Sequence, residues 1–120
     1  KMMKAAILAL ALLAVPVAAQ ADNIVIPLPD GAKPETIKAS YDCGAFGPVA
    51  VSYINAPPVA LATLSFKGQF LVMSNVLSGS GARYAGGPYI WWSKGRGADL
   101  YDLTKGENAP PVASCTQKSG

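Results

Sequence analysis

Residues 59–76 read VALATLSF-KG-QFLVMSNV, two apolar-rich runs of eight residues on either side of Lys67-Gly68. Each run has the length and composition of a β-strand, and a two-residue connection between such runs indicates a tight hairpin. The strands predicted here are Val59–Phe66 and Gln69–Val76, and they set the fold class as β.

The β pattern continues in both directions from this hairpin. Upstream, apolar and polar residues alternate from Ile37 to Cys43 and from Val49 to Tyr53, which is the period of a half-buried strand. After residue 21 no helical period is longer than one turn. Four shorter strands are predicted downstream, at residues 82–85, 89–93, 99–103 and 112–115.

About eight short strands separated by Gly- and Pro-rich turns indicate an antiparallel sandwich or a barrel. A chain of 120 residues manages its sheet edges best by closing the sheet. We therefore expect an all-β fold, a small antiparallel β-barrel of about eight strands, over residues 37–120. Residues 22–36 contain three prolines and a glycine, which predicts an extended N-terminal arm.

The first 21 residues have the pattern of a secretory signal peptide. Lys1 and Lys4 give a positive start, residues 5–19 are small or apolar, and Ala19-Gln20-Ala21 fits the small-x-small cleavage rule. The alternative is a transmembrane anchor, but the run is shorter than the ~20 residues needed and contains a proline. We expect cleavage after Ala21 and a periplasmic protein. Because no cysteine lies near this point, we expect no membrane anchor after cleavage.

The chain contains two cysteines, Cys43 and Cys115, and no histidine. Export would place both thiols in an oxidising compartment, where one disulfide joining the first convincing strand to the last is the default and two free thiols are the alternative. Two cysteines without histidine cannot form an ordinary zinc site, so we expect neither a metal nor a cofactor.

Charge and composition exclude two functional classes. From residue 22 onward eight basic and seven acidic residues give a net charge of +1, spread along the chain, which does not suit nucleic-acid binding. Without histidine, Ser–His and Cys–His catalysis are impossible. Asp99 and Asp102 lie three residues apart on one predicted strand and so face opposite sides, which does not suit a glycosidase pair. We therefore expect no enzymatic activity.

The segment from Ser78 to Gly95 places two polar side chains together. With residues 86–88 as a three-residue hairpin loop, Arg83 pairs with Trp91 and Ser80 falls opposite Lys94. A hydroxyl and an ammonium group then lie side by side at the open end of the hairpin. Neighbouring glycines allow the backbone to turn out of the sheet there. Of Trp91 and Trp92, one should face the core and the other the outside.

These residues carry a family resemblance. Residues 80–84 match the motif Ser-Gly-x-x-Tyr, and residues 89–95 match Tyr-x-x-x-Thr-Lys-Gly with Ser93 in place of threonine. Residues 41–43 match the Tyr-x-Cys near the first strand, and Cys115 matches the closing cysteine. Over residues 41–116 the chain resembles the membrane-bound and periplasmic inhibitors of C-type lysozyme, the MliC/PliC family. Without a lipid-bearing cysteine, it is more similar to the periplasmic branch.

The resemblance implies an eight-stranded barrel that inserts two loops into the cleft of a C-type lysozyme. Ser80 would hydrogen-bond the catalytic glutamic acid of the lysozyme, and Lys94 would pair with its catalytic aspartate. The lysozyme-binding residues implied are Ser80, Gly81, Arg83, Tyr84, Tyr89, Ser93, Lys94 and Gly95.

Two other functions remain open at this point. One is a periplasmic binding module for a small ligand or cell-wall sugar, with Tyr89, Trp91 and Trp92 as a stacking surface. The other is a structural or adhesion protein of the envelope. The oligomeric state does not follow from the sequence.

Overall fold

The computed structural model describes residues 22–119, so the predicted signal peptide lies outside the described residues. Two single-turn 3-10 helices, Gly44–Phe46 and Leu103–Lys105, accompany the strands in this part of the chain. The eight strands are β1 (Glu35–Asp42), β2 (Val49–Ala56), β3 (Val59–Phe66), β4 (Gln69–Val76), β5 (Ala82–Gly86), β6 (Tyr89–Lys94), β7 (Gly97–Asp102) and β8 (Ala113–Gln117).

The strands form one closed antiparallel barrel in chain order. The all-β barrel predicted from the sequence is therefore confirmed. β1 begins at Glu35, two residues before the predicted start of the barrel at residue 37. Glu35 pairs with Asn55 of β2, so the end of the predicted arm contributes to the sheet.

Closure of the barrel depends on a short contact between β1 and β8. Their ladder consists of two pairs, Tyr41 with Gln117 and Asp42 with Thr116. Immediately after β1, Cys43 forms a disulfide with Cys115 of β8, which confirms the predicted bridge. A covalent bond thus reinforces the shortest seam of the barrel.

The predicted register between β5 and β6 was wrong by one residue. The connection is a two-residue turn, Gly87-Pro88, and Gly86 is the last residue of β5, paired with Tyr89. Gly86 remains in the strand because it packs closely on β4: a Cβ at this position would lie 2.7 Å from the Val72 carbonyl oxygen. Gly87 has a φ of +54°, and a glycine at the first turn position is typical of two-residue hairpins.

An aromatic cluster occupies the centre of the barrel. Trp91 is fully buried, with 0% of its surface exposed, and its ring meets that of Tyr41 edge to face at 5.0 Å. Its indole N–H donates to the Tyr53 hydroxyl at 2.9 Å, and the Tyr41 and Tyr53 hydroxyls are 2.8 Å apart. Because these polar atoms bond one another, the cluster can be buried without unpaired donors. Trp92 is partly exposed, so the predicted split between the two tryptophans is confirmed.

Burial of this cluster perturbs the phenol groups. Desolvation is the largest cause that raises the pKa of Tyr41 far above its usual value, and the hydrogen bond with Tyr53 adds to it. A hydrogen bond from the Ser93 hydroxyl acts in the opposite direction. Desolvation also raises the pKa of Tyr84.

Reduction of the disulfide should lower the free energy of unfolding by about 4 kcal/mol, because the bridge closes a long loop in the unfolded chain. The two cysteines are separated by 72 positions. Urea unfolding with and without reductant measures the change. The double variant Cys43→Ala/Cys115→Ala is the control, and reductant should leave its midpoint unchanged. An equal midpoint for oxidised and fully reduced parent protein would contradict the prediction.

Stability should fall in alkaline solution. The neutral phenol of Tyr41 is favoured by the fold, while in the unfolded chain it ionises near the ordinary pKa of 10.0. The stabilisation that comes from keeping this phenol neutral is therefore fully present below about pH 10. Above that pH the free energy of unfolding falls by about 1.4 kcal/mol per pH unit for each tyrosine with such a raised pKa. Urea unfolding from pH 8 to 11.5 tests this, and Tyr41→Phe should give a flatter profile. A parent profile that stays level to pH 11.5 would refute it.

Candidate functional site

Two connections lie side by side at one end of the barrel. The first is residues 77–81, between β4 and β5, and the second is residues 94–97, which end β6 and begin β7. β5 and β6 are neighbours, so both connections lie at the end opposite the Gly87-Pro88 turn. We refer to these two connections as the loop pair. It contains Ser80 and Lys94, both exposed.

Gly81 holds the two connections in contact. It has a φ of +66°, and a Cβ at this position would lie 2.7 Å from Cγ of Lys94 and would overlap the carbonyl oxygen of Ser93. Only glycine fits without displacing these atoms. The corrected register places Gly81 across from Lys94, with Ser80 adjacent, so the structure brings Ser80 and Lys94 to the same place.

Trp92 is a member of this site that was not among the residues predicted to bind lysozyme. Its indole N–H donates to the backbone carbonyl of Ser80 at 2.8 Å. The ammonium nitrogen of Lys94 lies 4.5 Å from the centre of its ring, and the guanidinium carbon of Arg83 lies 5.6 Å from it. One available signal was that Trp92 and Lys94 are two residues apart and therefore share a face of β6.

The remaining predicted site residues divide into two groups. Gly95, with a φ of +58°, forms the turn beside Lys94 and is exposed, and Arg83 is half-buried on the outer face of β5. Tyr84 is buried, with its ring 5.6 Å from that of Tyr53, and the Ser93 hydroxyl points toward Tyr41. These two side chains belong to the interior.

Tyr89 lies at the opposite end of β6 from the loop pair. Five residue steps separate it from Lys94, roughly 17 Å along a strand. Its ring packs edge to face on Phe66 at 5.4 Å. With Trp91 fully buried and Tyr89 packed in this way, the stacking surface suggested for a sugar-binding module is not formed by the three aromatic residues together.

Asp102, one of the two carboxylates considered as a catalytic pair, is engaged in a local turn. Asp102 accepts hydrogen bonds from the backbone N–H of Thr104 at 2.9 Å and from its hydroxyl at 2.6 Å, and these bonds lower the pKa of this carboxyl. The Asp102 carboxylate is therefore ionised, and its oxygen Oδ1 accepts both hydrogen bonds within a local turn. Among residues 22–119 no cluster of three or more His, Cys, Asp or Glu could hold a metal ion. No helix within the same range is long and apolar enough to cross a membrane.

Comparisons with known sequences support one family. The family described as "Membrane-bound lysozyme-inhibitor of c-type lysozyme" matches residues 41–109. Two curated relatives bear the name "Membrane-bound lysozyme inhibitor of C-type lysozyme". The one from Cupriavidus necator is 38% identical over 91 residues, covering 74% of this chain and 73% of the relative. The one from Pseudomonas aeruginosa is 39% identical over 101 residues, covering 83% and 78%.

Solved structures agree with the sequence comparisons. Pseudomonas aeruginosa MliC, crystallised in complex with hen egg white lysozyme, superposes with a TM-score of 0.69 at 36% identity, covering 82% of this chain and 99% of that one. PliC of Salmonella typhimurium, a periplasmic lysozyme inhibitor of C-type lysozyme, gives 0.57 at 25% identity, covering 70% and 99%. The resemblance predicted from the motifs is confirmed, and the chain belongs to the family of membrane-bound lysozyme inhibitors of C-type lysozyme.

Proposed function

We propose that this protein inhibits a C-type lysozyme by inserting the loop pair into the active-site cleft of the enzyme. The observation that carries the proposal is the exposed side chain of Lys94 at one end of the barrel, whose Cγ packs against Gly81 and whose ammonium nitrogen lies 4.5 Å from the centre of the Trp92 ring. Membership of a family of inhibitor proteins supports it. The protein itself catalyses no reaction.

The chemistry of the two side chains suits the two catalytic carboxyls of such a lysozyme. The enzyme keeps its glutamic acid protonated and its aspartate ionised. A neutral hydroxyl such as that of Ser80 can bond the protonated acid, and the Lys94 cation can pair with the aspartate. Insertion removes water from both carboxyls, so each needs a partner in the complex. The loop pair offers one of each kind.

The roles of the other predicted residues follow from their burial. Gly81 and Gly95 shape the two backbones that enter the cleft. Arg83 lies at the rim of the contact, where exposed charges contribute little. Tyr84, Tyr89 and Ser93 act from within the barrel and keep β5 and β6 in place.

Long-range electrostatic attraction contributes little to this encounter. Residues 22–120 carry eight basic and seven acidic side chains, a net charge of +1, which provides almost no field to steer the enzyme toward the inhibitor. The affinity must therefore come from the short-range contacts of the loop pair and its rim.

The locations named for the relatives agree with the signal peptide predicted for this chain. The family description and both curated relatives name membrane-bound proteins, and the Salmonella neighbour is periplasmic. We propose a periplasmic location for this chain, reached by a signal peptide over residues 1–21 that is removed after Ala21.

Lys94→Ala should weaken lysozyme inhibition by roughly 30-fold to several thousand-fold, because removing one member of a buried charge pair leaves the other unpaired. Lys94→Met, which keeps most of the aliphatic stem against Gly81, should lose a similar factor. Ser80→Ala should cost less, roughly two- to tenfold, since a neutral hydrogen bond contributes less. Inhibition constants from a turbidity assay on bacterial cells give these values.

Lys105→Ala is the matched charge control for these variants. Lys105 is exposed in the 3-10 helix next to the Gly87-Pro88 turn, at the end of the barrel away from the loop pair. Its removal should change the inhibition constant less than about threefold. All four variants should keep the parent's melting temperature. Equal inhibition by Lys94→Ala and the parent would exclude the cleft-insertion mechanism.

The exported protein should begin at Asp22, because cleavage after a small-x-small sequence follows the apolar run. Intact-mass measurement of protein released from the periplasm determines the first residue. A mass that still includes residues 5–21 would contradict both the cleavage site and the proposed route of export.

A further inference from the structure

Trp92 is a large aromatic residue that the barrel core does not use. Its neighbour Trp91 fills the interior, while Trp92 lies on the outer face of β6 and is half-buried. On that face it pairs with Arg83 of β5 on one side and Asp99 of β7 on the other. Because Trp92 does not pack in the core, its role has to be inferred from its contacts on the outer face.

The first contact is a hydrogen bond to the loop of residues 77–81. The Trp92 indole N–H donates to the Ser80 carbonyl oxygen, so a side chain of β6 is tied to the backbone of the residue that carries the hydroxyl. The loop's own side-chain bond, from the Ser78 hydroxyl to the Gly81 carbonyl, is longer at 3.2 Å and does not reach the sheet. Because two of the five loop residues are glycines, the backbone of this loop is flexible by itself, and the hydrogen bond from Trp92 restricts it.

The second contact is with the cation. The Lys94 ammonium nitrogen lies 4.5 Å from the centre of the indole ring, within the range of a cation–π interaction. A lysine side chain at the end of a strand otherwise samples many rotamers, and fixing it on binding costs entropy. The ring therefore restricts Lys94 before any partner arrives.

We propose that Trp92 is the positioning residue of the loop pair, ordering the Ser80 backbone through its N–H and the Lys94 cation through its ring. The inference rests on the proposed function for its effect on inhibition. One side chain thus orders both polar groups in the free inhibitor, so that less conformational freedom is lost in the complex. Trp92 acts through Ser80 and Lys94 and need not touch the enzyme itself.

Two substitutions separate the two contacts. Trp92→Phe keeps an aromatic face for Lys94 but removes the donor to Ser80, and should weaken inhibition roughly three- to tenfold. Trp92→Leu removes both contacts and should cost roughly 10- to 30-fold or more. Phe70→Leu is the control: Phe70 is 67% exposed on the outer face of β4, near the end away from the loop pair, and its replacement should change inhibition less than about twofold.

Double-variant cycles distinguish positioning from a general loss of structure. If the indole N–H acts by placing the Ser80 hydroxyl, Trp92→Phe should have almost no further effect in the Ser80→Ala background but its full effect in the Lys94→Met background. Effects that multiply independently in the Ser80→Ala background would overturn the proposal for the N–H. Because Trp92→Phe is the milder change, it gives a result even if Trp92→Leu fails to fold.

A measurement on the free protein tests the inference without lysozyme. The chain has two tryptophans, so two indole N–H signals are expected in a ¹⁵N–¹H spectrum of the exported protein. The Trp92 indole proton should be protected from exchange, and backbone order at residues 79–81 should fall in Trp92→Phe. If residues 79–81 are equally ordered in the parent and in Trp92→Phe, the positioning role of Trp92 is overturned, whether or not the parent inhibits lysozyme. If the parent orders the loop but does not inhibit lysozyme, the proposed function fails and the positioning role stands.

Discussion

The burial of Trp91 fixes the register of β6, and the candidate site depends on that register. Trp91 is fully enclosed and bonded to Tyr53, so β6 cannot shift by one residue without exposing the largest side chain of the core. Successive strand residues face opposite sides, and a shift would turn Trp92 and Lys94 inward. The position of the Lys94 cation outside the barrel is thus determined by the packing of its neighbour three residues earlier.

The barrel closes through a seam between β1 and β8 that is short in hydrogen bonds. β1 and β8 share two ladder pairs, and the Cys43–Cys115 bond lies directly beside them. β8 in turn pairs with β7, where Ala98 faces Cys115 two residues after the turn that carries Lys94. Closing the seam covalently therefore also supports β7, the strand that leaves the loop pair.

The sequence predicted what depends on local pattern and missed what depends on distant neighbours. Period-two alternation and short apolar runs between turns identified the strands, and the two cysteines identified the bridge. The turn after β5 was misjudged because Gly86 remains in the strand owing to its contact with Val72 on another strand. Once Trp91 is known to be buried, alternation places Ser93 on the same inner side, since it is two residues away. The hydrogen bond from Trp92 to Ser80 spans 12 positions and leaves no signal in a local pattern.

A rigid barrel is a suitable support for an inhibitor that has little net charge. With a net charge of +1 over residues 22–120, attraction at a distance adds little, and affinity has to be recovered at contact. The binding free energy from these contacts is greatest when the binding groups are already ordered in the free protein, because the conformational entropy lost on binding opposes association. Gly81 brings the two connections to within van der Waals distance, and Trp92 contacts both of them, through a hydrogen bond to Ser80 and a cation–π contact with Lys94. The strand that buries Trp91 therefore also places Trp92 against the Ser80 backbone and the Lys94 cation, contacts that a flexible loop of this composition could not make alone.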